Sequence, residues 1–144
     1  MTKTDTSPVK ILLGTGLDSR LEVFGLVERG IPLASVHHFL SDLHLLKDEH
    51  VLLRIIGMSK RTLERRLGTN PECLLSPQKS AVILRFAEAL ELAEQVFGQR
   101  QVAISWMSAP CLLLDQLVPI EILHNPIGYE LVSEHLTRLE YGIF

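Results

Sequence analysis

Between Ser76 and Gly98 the sequence carries a helix signal that is bounded at both ends and longer than any other in the chain. The Ser76 hydroxyl is suited to accept from the free N–H groups of a first turn, and Pro77 fits the next position, where no N–H is needed. Apolar residues then recur at Val82, Ile83, Phe86, Leu90, Ala93 and Phe97, and Gly98 closes the run. A helix of about six turns with one apolar side and acids on its outer face cannot bury that side alone. It predicts a multi-helix protein in which this helix is the backbone of the fold.

The rest of the chain is punctuated for shorter helices. Asp18 is suited to cap a segment with Leu21, Phe24 and Val27 on one side, ending at Gly30. Pro32 opens a segment with Leu33, Val36, Leu40 and Leu43, and Asp48 opens another with Val51, Leu52, Ile55 and Ile56 inward and Gly57 as the stop. Ser59 caps a fourth that ends at Gly68. Beyond Gly98, a segment with Val102, Ile104 and Trp106 runs to Pro110, and a loop covers residues 111–118. Pro119-Ile120-Glu121-Ile122-Leu123 then reads as a short helix. After Asn125-Pro126 comes a last helix with Val132, Leu136 and Leu139 inward. Only Val9 to Gly16 looks extended, a strand-like N-terminal arm running into a glycine turn. The expected class is all-α.

With 47% hydrophobic residues in 144, the chain can bury a core, and disorder is excluded by that content. The longest apolar runs are a few residues, far short of the roughly 20 needed to span a bilayer. The start, Met1-Thr2-Lys3-Thr4-Asp5-Thr6-Ser7-Pro8, has no apolar leader, and two cysteines do not make a disulfide framework. A cytoplasmic location, with no membrane partner, is the expectation.

Charge points to one segment. The net charge is −3, yet residues 54–67 hold Arg54, Lys60, Arg61, Arg65 and Arg66 against Glu64 alone, a local +4 that leaves −7 for the rest. Two short helices joined by a turn at Gly57, with cations on the second, describe a helix-turn-helix. Leu52, Ile56, Met58 and Leu63 fall at the positions that hold such a pair together. Ser59, Lys60, Arg61 and Thr62 then form the start of a recognition helix that can reach base edges, with Arg65 and Arg66 one turn later for bases or phosphates. The competing reading is a solvated basic face on an ordinary surface helix. Leu53 stands where such motifs usually carry a small residue, which predicts a shifted angle between the two helices.

The spacing Leu53-xx-Ile56-Gly57-Met58-Ser59-xx-Thr62-Leu63-xx-Arg66-Leu67 resembles the helix-turn-helix of Xre-type regulators. Leu75-Ser76-Pro77 leading into a helix that ends Val96-Phe97-Gly98 is similar to the Xre/MbcA/ParS antitoxins. Trp106-Met107-Ser108-Ala109-Pro110, the Pro119–Leu123 motif, Gly128-x-Glu130-x-Val132 and Leu136-x-x-Leu139-Glu140-x-Gly142-Ile143-Phe144 resemble their toxin-binding domain. The resemblance covers about residues 31–144. It implies a helix-turn-helix region at 31–75, a connecting helix at 76–97 and a toxin-binding domain at 98–144, with residues 1–30 left as an arm and first helix available for dimerisation.

In function, the resemblance implies an antitoxin that covers the active site of a cognate RES-domain toxin, an enzyme that consumes NAD or transfers ADP-ribose. It also implies autorepression through operator DNA of its own operon, and because one helix-turn-helix module reads too few bases alone, a homodimer on a palindromic site is expected. The toxin contacts it suggests are Asp115, Gln116, Tyr129, Glu130, Glu140, Tyr141, Gly142, Ile143 and Phe144. Residues 98–144 hold five acids against Arg100 and Arg138, a net −3 suited to a cationic pocket. One departure concerns the loop: where the family has Gly-Gly followed by a basic residue, this chain has Asp115-Gln116-Leu117.

Other classes have less support. His37, His38, His44 and His50 lie far from Cys73 and Cys111, so no metal site is expected. A lone Gly14-Thr15-Gly16 does not make a phosphate cradle, and no catalytic motif is present, so neither cofactor, small-molecule substrate nor enzymatic activity is expected. Acids such as Glu88 and Glu91 read as helix solvation. Trp106 reads as core, and Tyr129 as either core or contact. The alternative function is a free-standing dimeric repressor with no toxin partner.

Overall fold

A computed structural model describes residues 7–14, 17 and 19–142. Among them the chain forms eight α-helices and no strand: α1 Pro8–Leu13, α2 Arg20–Arg29, α3 Leu33–Asp42, α4 Glu49–Ile55, α5 Lys60–Thr69, α6 Pro77–Phe97, α7 Arg100–Met107 and α8 Pro126–Glu140. Two 3-10 turns, Leu112–Leu114 and Pro119–Glu121, lie between α7 and α8. The chain divides into two compact units, Met1–Leu84 and Arg85–Phe144, with the division inside α6. No helix among the described residues is long and apolar enough to cross a membrane.

In the first unit the core is made by Leu33, Val36, Phe39 and Leu40 of α3, by Val51, Leu52 and Ile55 of α4, and by Leu63 of α5. Each fully buried side chain of this size contributes roughly 1.5–3 kcal/mol. The start of α6 is stitched to the α2–α3 junction by backbone pairing. Leu33 N–H donates to Cys73 O and Leu75 N–H to Ile31 O, each at 2.9 Å. Between them the Ile31 N–H donates to the Ser80 hydroxyl at 2.8 Å, and Ser80 is completely buried.

The second unit is built around the C-terminal half of α6. Arg85 donates to the Leu123 and His124 carbonyls at 3.1 and 3.2 Å, closing the turn before α8. Asn125 caps α8, its side chain accepting from Ile127 N–H, and Val132 and Leu136 face inward. At the first turn of α8 the backbone passes directly against Ile122: a Cβ on Gly128 would lie 1.9 Å from the Ile122 carbonyl oxygen.

Several expectations are corrected. The extended N-terminal arm is a helix: Ser7 caps it by accepting from Lys10 N–H, Pro8 occupies the first turn, and Leu12 is buried as α1 packs on α3. A serine-proline cap outweighs the β-branched run that looked strand-like. The cap of α2 is Ser19, which accepts from Glu22 N–H, while Asp18, Thr15 and Gly16 lie outside the described residues. No residue of α2 is fully buried, and its apolar side exposes Leu21 and Phe24 at 77% and 61%. Helix α5 runs through Gly68 to Thr69, since Gly68 keeps a helical backbone and only Asn70 departs from it. Pro119–Leu123 is a 3-10 turn of three residues rather than a short α-helix. The acids of α6 are half-buried and engaged: Glu88 accepts from the Tyr129 hydroxyl at 3.4 Å, and Glu94 from Arg100 at 2.6 Å.

Two glycines in helices therefore have opposite consequences. Gly128→Ala forces backbone apart and should cost about 3 kcal/mol. Gly68→Ala meets nothing within 4 Å and should gain about 1 kcal/mol through helix propensity. Urea denaturation of the two variants, read at constant m-value, checks both signs.

Candidate functional site

Two surfaces, one in each unit, gather the residues of interest. The first is built by α4, the turn through Gly57 and α5. Leu52, Ile56 and Leu63 are fully buried and Met58 is 5% exposed, so the four positions expected to join the helices all lie in the core. Gly57 adopts φ +70, a left-handed turn that a side chain would strain. Leu53 is 54% exposed, so its bulk lies outside that contact and offers no reason for a shifted angle.

Ser59 caps α5, accepting from Thr62 N–H at 3.1 Å and donating to the Thr62 hydroxyl at 3.2 Å. Both side chains are thus occupied in fixing the first turn. Lys60 and Arg61 leave from that turn, and Arg65 follows Arg61 by four residues on the same side. Arg61, Arg65 and Arg66 are exposed and Lys60 half-exposed. The one acid of the segment, Glu64, lies 3.4 Å from His37 of α3. A cation the sequence did not single out joins this surface: the Lys79 side chain of α6 comes within 3.4 Å of where a Gly57 Cβ would sit. With Arg66, Ser76 and the apolar residues Leu33, Leu74 and Leu75 it lines a cavity of about 390 Å³. Its place could be found only from the fold, because Lys79 is 22 residues beyond the turn it covers.

The second surface belongs to α7, the 111–117 turn and α8. Trp106 is half-buried rather than core, its ring 5.7 Å from Phe97 and stacked on His135 at 5.9 Å with 13° between planes. Cys111 Sγ lies 3.7 Å from His135 Nε2. Asp115 and Gln116 are both exposed and both left-handed, with φ 61 and 66. Tyr129 is half-buried against Glu88, whereas Glu130, Glu140 and Tyr141 are exposed, and Gly142 has φ +71. Ile143 and Phe144 lie outside the described residues. Sequence reasoning missed the apolar part of this surface: Leu112, Leu113 and Leu117 are 74%, 63% and 46% exposed, and Ile127 and Leu131 also face solvent on α8.

The histidines place no metal set here. His37, His38, His44 and His50 are half-exposed or exposed, His44 lies beyond the end of α3 and so does not continue the face of His37, and no group of three or more potential ligands occurs among the described residues.

His135 has a perturbed titration. Burial lowers its pKa below the ordinary 6.5, and the nearby Arg138 guanidinium lowers it further. The neutral ring is therefore the form that suits the stack and the Cys111 thiol. The unfolded chain takes up this proton first as pH falls, so the contribution is whole above about pH 6.5 and is lost as pH drops through the folded pKa. Melting temperatures at about pH 7.5 and 5.5 check it: His135→Gln should lose less stability on acidification than the unaltered protein.

Residues 92–142 match the model of the Antitoxin Xre/MbcA/ParS C-terminal toxin-binding domain, which takes in α7, the 111–117 turn and all of α8. The chain is similar to Antitoxin Xre of Yersinia enterocolitica, 33% identical over 94 residues, covering 65% of this chain and 62% of that protein. The alignment thus spans less than two thirds of that relative's length. It is also similar to the Prs ADP-ribosylating antitoxin of Sphingobium sp., 22% identical over 135 residues, covering 88% of this chain and 82% of the relative. Its C-terminal third thus matches the toxin-binding domain of the Xre/MbcA/ParS antitoxins, and over most of its length the chain is similar to an antitoxin of that kind.

Proposed function

We propose that this chain neutralises a cognate RES-domain toxin through its C-terminal unit and represses its own operon through α4 and α5. The observation that carries the first half is a coincidence of two kinds of evidence. The segment matching the toxin-binding domain also holds most of the exposed large apolar residues, with the exposed acids Asp115, Glu130, Glu134 and Glu140 among them. A stable protein contact needs apolar anchors rimmed by polar groups, and this surface has both. The toxin's reaction, consumption of NAD or transfer of its ADP-ribose, is consistent with the ADP-ribosylating antitoxin among the relatives. Such an enzyme needs cations for the pyrophosphate of its substrate, and a surface bearing Glu130, Glu140 and the carboxylate of Asp115 is complementary to them. The chain itself acts here by occupancy and carries no catalytic step.

Docking of the C-terminal end at the mouth of the toxin's active site accounts for Tyr141, which is 72% exposed, and for the left-handed Gly142 that turns the chain. Removing residues 141–144 should release the toxin while leaving promoter binding intact. Growth and cellular NAD, measured with the toxin from the adjacent reading frame co-expressed, check this. Full protection by the trimmed protein would exclude the tail as the plug.

The DNA half rests on the α5 surface, where no cation of the set Lys60, Arg61, Arg65 and Arg66 is paired with an acid among the described residues. A single module of this kind reads few bases, so a homodimer on a two-fold site is part of the proposal. Its apolar surface is the side of α2 carrying Leu21 and Phe24. Arg61→Ala or Arg65→Ala should each cost about 1–3 kcal/mol in binding to the operon's promoter if they read bases. Fluorescence anisotropy across a salt series checks this, with a steep loss of affinity expected as salt rises.

A further inference from the structure

The 111–117 turn has a rigid base and a costly outer edge. Cys111 N–H donates to Leu117 O at 3.0 Å, while the N–H groups of Leu114 and Gln116 return to the Cys111 carbonyl at 3.0 and 2.9 Å. Cys111, 8% exposed, ties this closed ring to His135 of α8. The outer residues do not serve the ring. Leu112, Leu113 and Leu117 leave most or nearly half of their surface to water. Asp115 and Gln116 hold consecutive left-handed backbone, a region that disfavours side chains with a Cβ and suits glycine. An aspartate tolerates it when its carboxylate bonds locally, but neither side chain has a hydrogen-bond partner among the described residues. Glycines would build the same turn with less strain, so these side chains cost the isolated fold something and return nothing to it.

We propose that this turn is the specificity-determining element of the toxin interface. Leu112 and Leu113 seat in an apolar recess of the toxin, and the Asp115 carboxylate and Gln116 amide pair with cationic and polar groups at its rim. This rests on the antitoxin reading above. Charge favours such a partner over a second copy of this chain: with residues 98–144 at net −3, two such units facing each other would bring like charges together, whereas a cationic rim complements them.

The test uses the full chain and the toxin encoded in the adjacent reading frame. Two variants are compared with the unaltered protein, Asp115→Gly with Gln116→Gly, and Leu112→Ser with Leu113→Ser. Melting temperature should hold or rise in the glycine variant and hold in the serine variant, while the toxin Kd weakens at least tenfold in both and promoter binding stays the same. A toxin Kd within twofold of the unaltered value in both overturns the proposal. So does a fall in melting temperature that accompanies the loss of affinity, because the turn would then be structural. If light scattering shows that the serine variant loses self-association instead of toxin affinity, the surface belongs to a second copy, and the proposal fails. If the unaltered chain does not bind the toxin, the antitoxin reading fails together with this one.

Discussion

The hydroxyl of Ser80 accepts the Ile31 N–H in a site with no access to water, and the first unit of the fold depends on that bond. A buried backbone N–H left without an acceptor costs about 1–3 kcal/mol. Here it is met by a side chain 49 residues away, and the flanking pairs through Leu33 and Leu75 are backbone to backbone. The approach is close enough that a Cβ on Gly30 would fall 2.3 Å from the Leu75 carbonyl oxygen. Together they fix where α6 begins. The start of α6 in turn brings Lys79 over the Gly57 turn, beside the cations of α5. A local polar bond in the core thus determines the charge pattern on a surface that shares none of its atoms.

The second unit solves a different problem, a chain that must turn twice within a few residues to return along α6. Proline and glycine do most of this. Pro119 starts a 3-10 turn, Pro126 starts α8, and Gly128 lets that helix lie against Ile122. Arg85 satisfies the carbonyls that such a tight turn leaves open. The guanidinium suits this task because its several N–H groups can serve two acceptors at once.

Capping was the most legible part of the sequence. Ser59, Ser76 and Asp48 each accept from the N–H three residues on, as their spacing implied, because the cap bond depends only on local chain geometry. The burial of Leu52, Ile56, Met58 and Leu63 was legible for a similar reason, since their apolar spacing marks the inward side of each local segment. Long-range effects were not. Nothing in the order of residues connects Lys79 with Gly57, or Cys111 with His135. In the N-terminal segment the Ser7-Pro8 cap decides for helix against the strand-like look of residues 9–13. In the loop, Asp115 and Gln116 stood out as replacements for a glycine pair. Only the backbone reveals that both sit where glycine is favoured, and that the leucines beside them face outward.

Helix α6 belongs to both units, since the division falls between Leu84 and Arg85, midway along an uninterrupted run of 21 residues. Such a helix has no natural seam. Cleavage at the division would leave each fragment with a frayed, uncapped end instead of a finished domain. The lifetimes of the two units are therefore linked by the chain itself: a protease that opens this helix breaks both in one event.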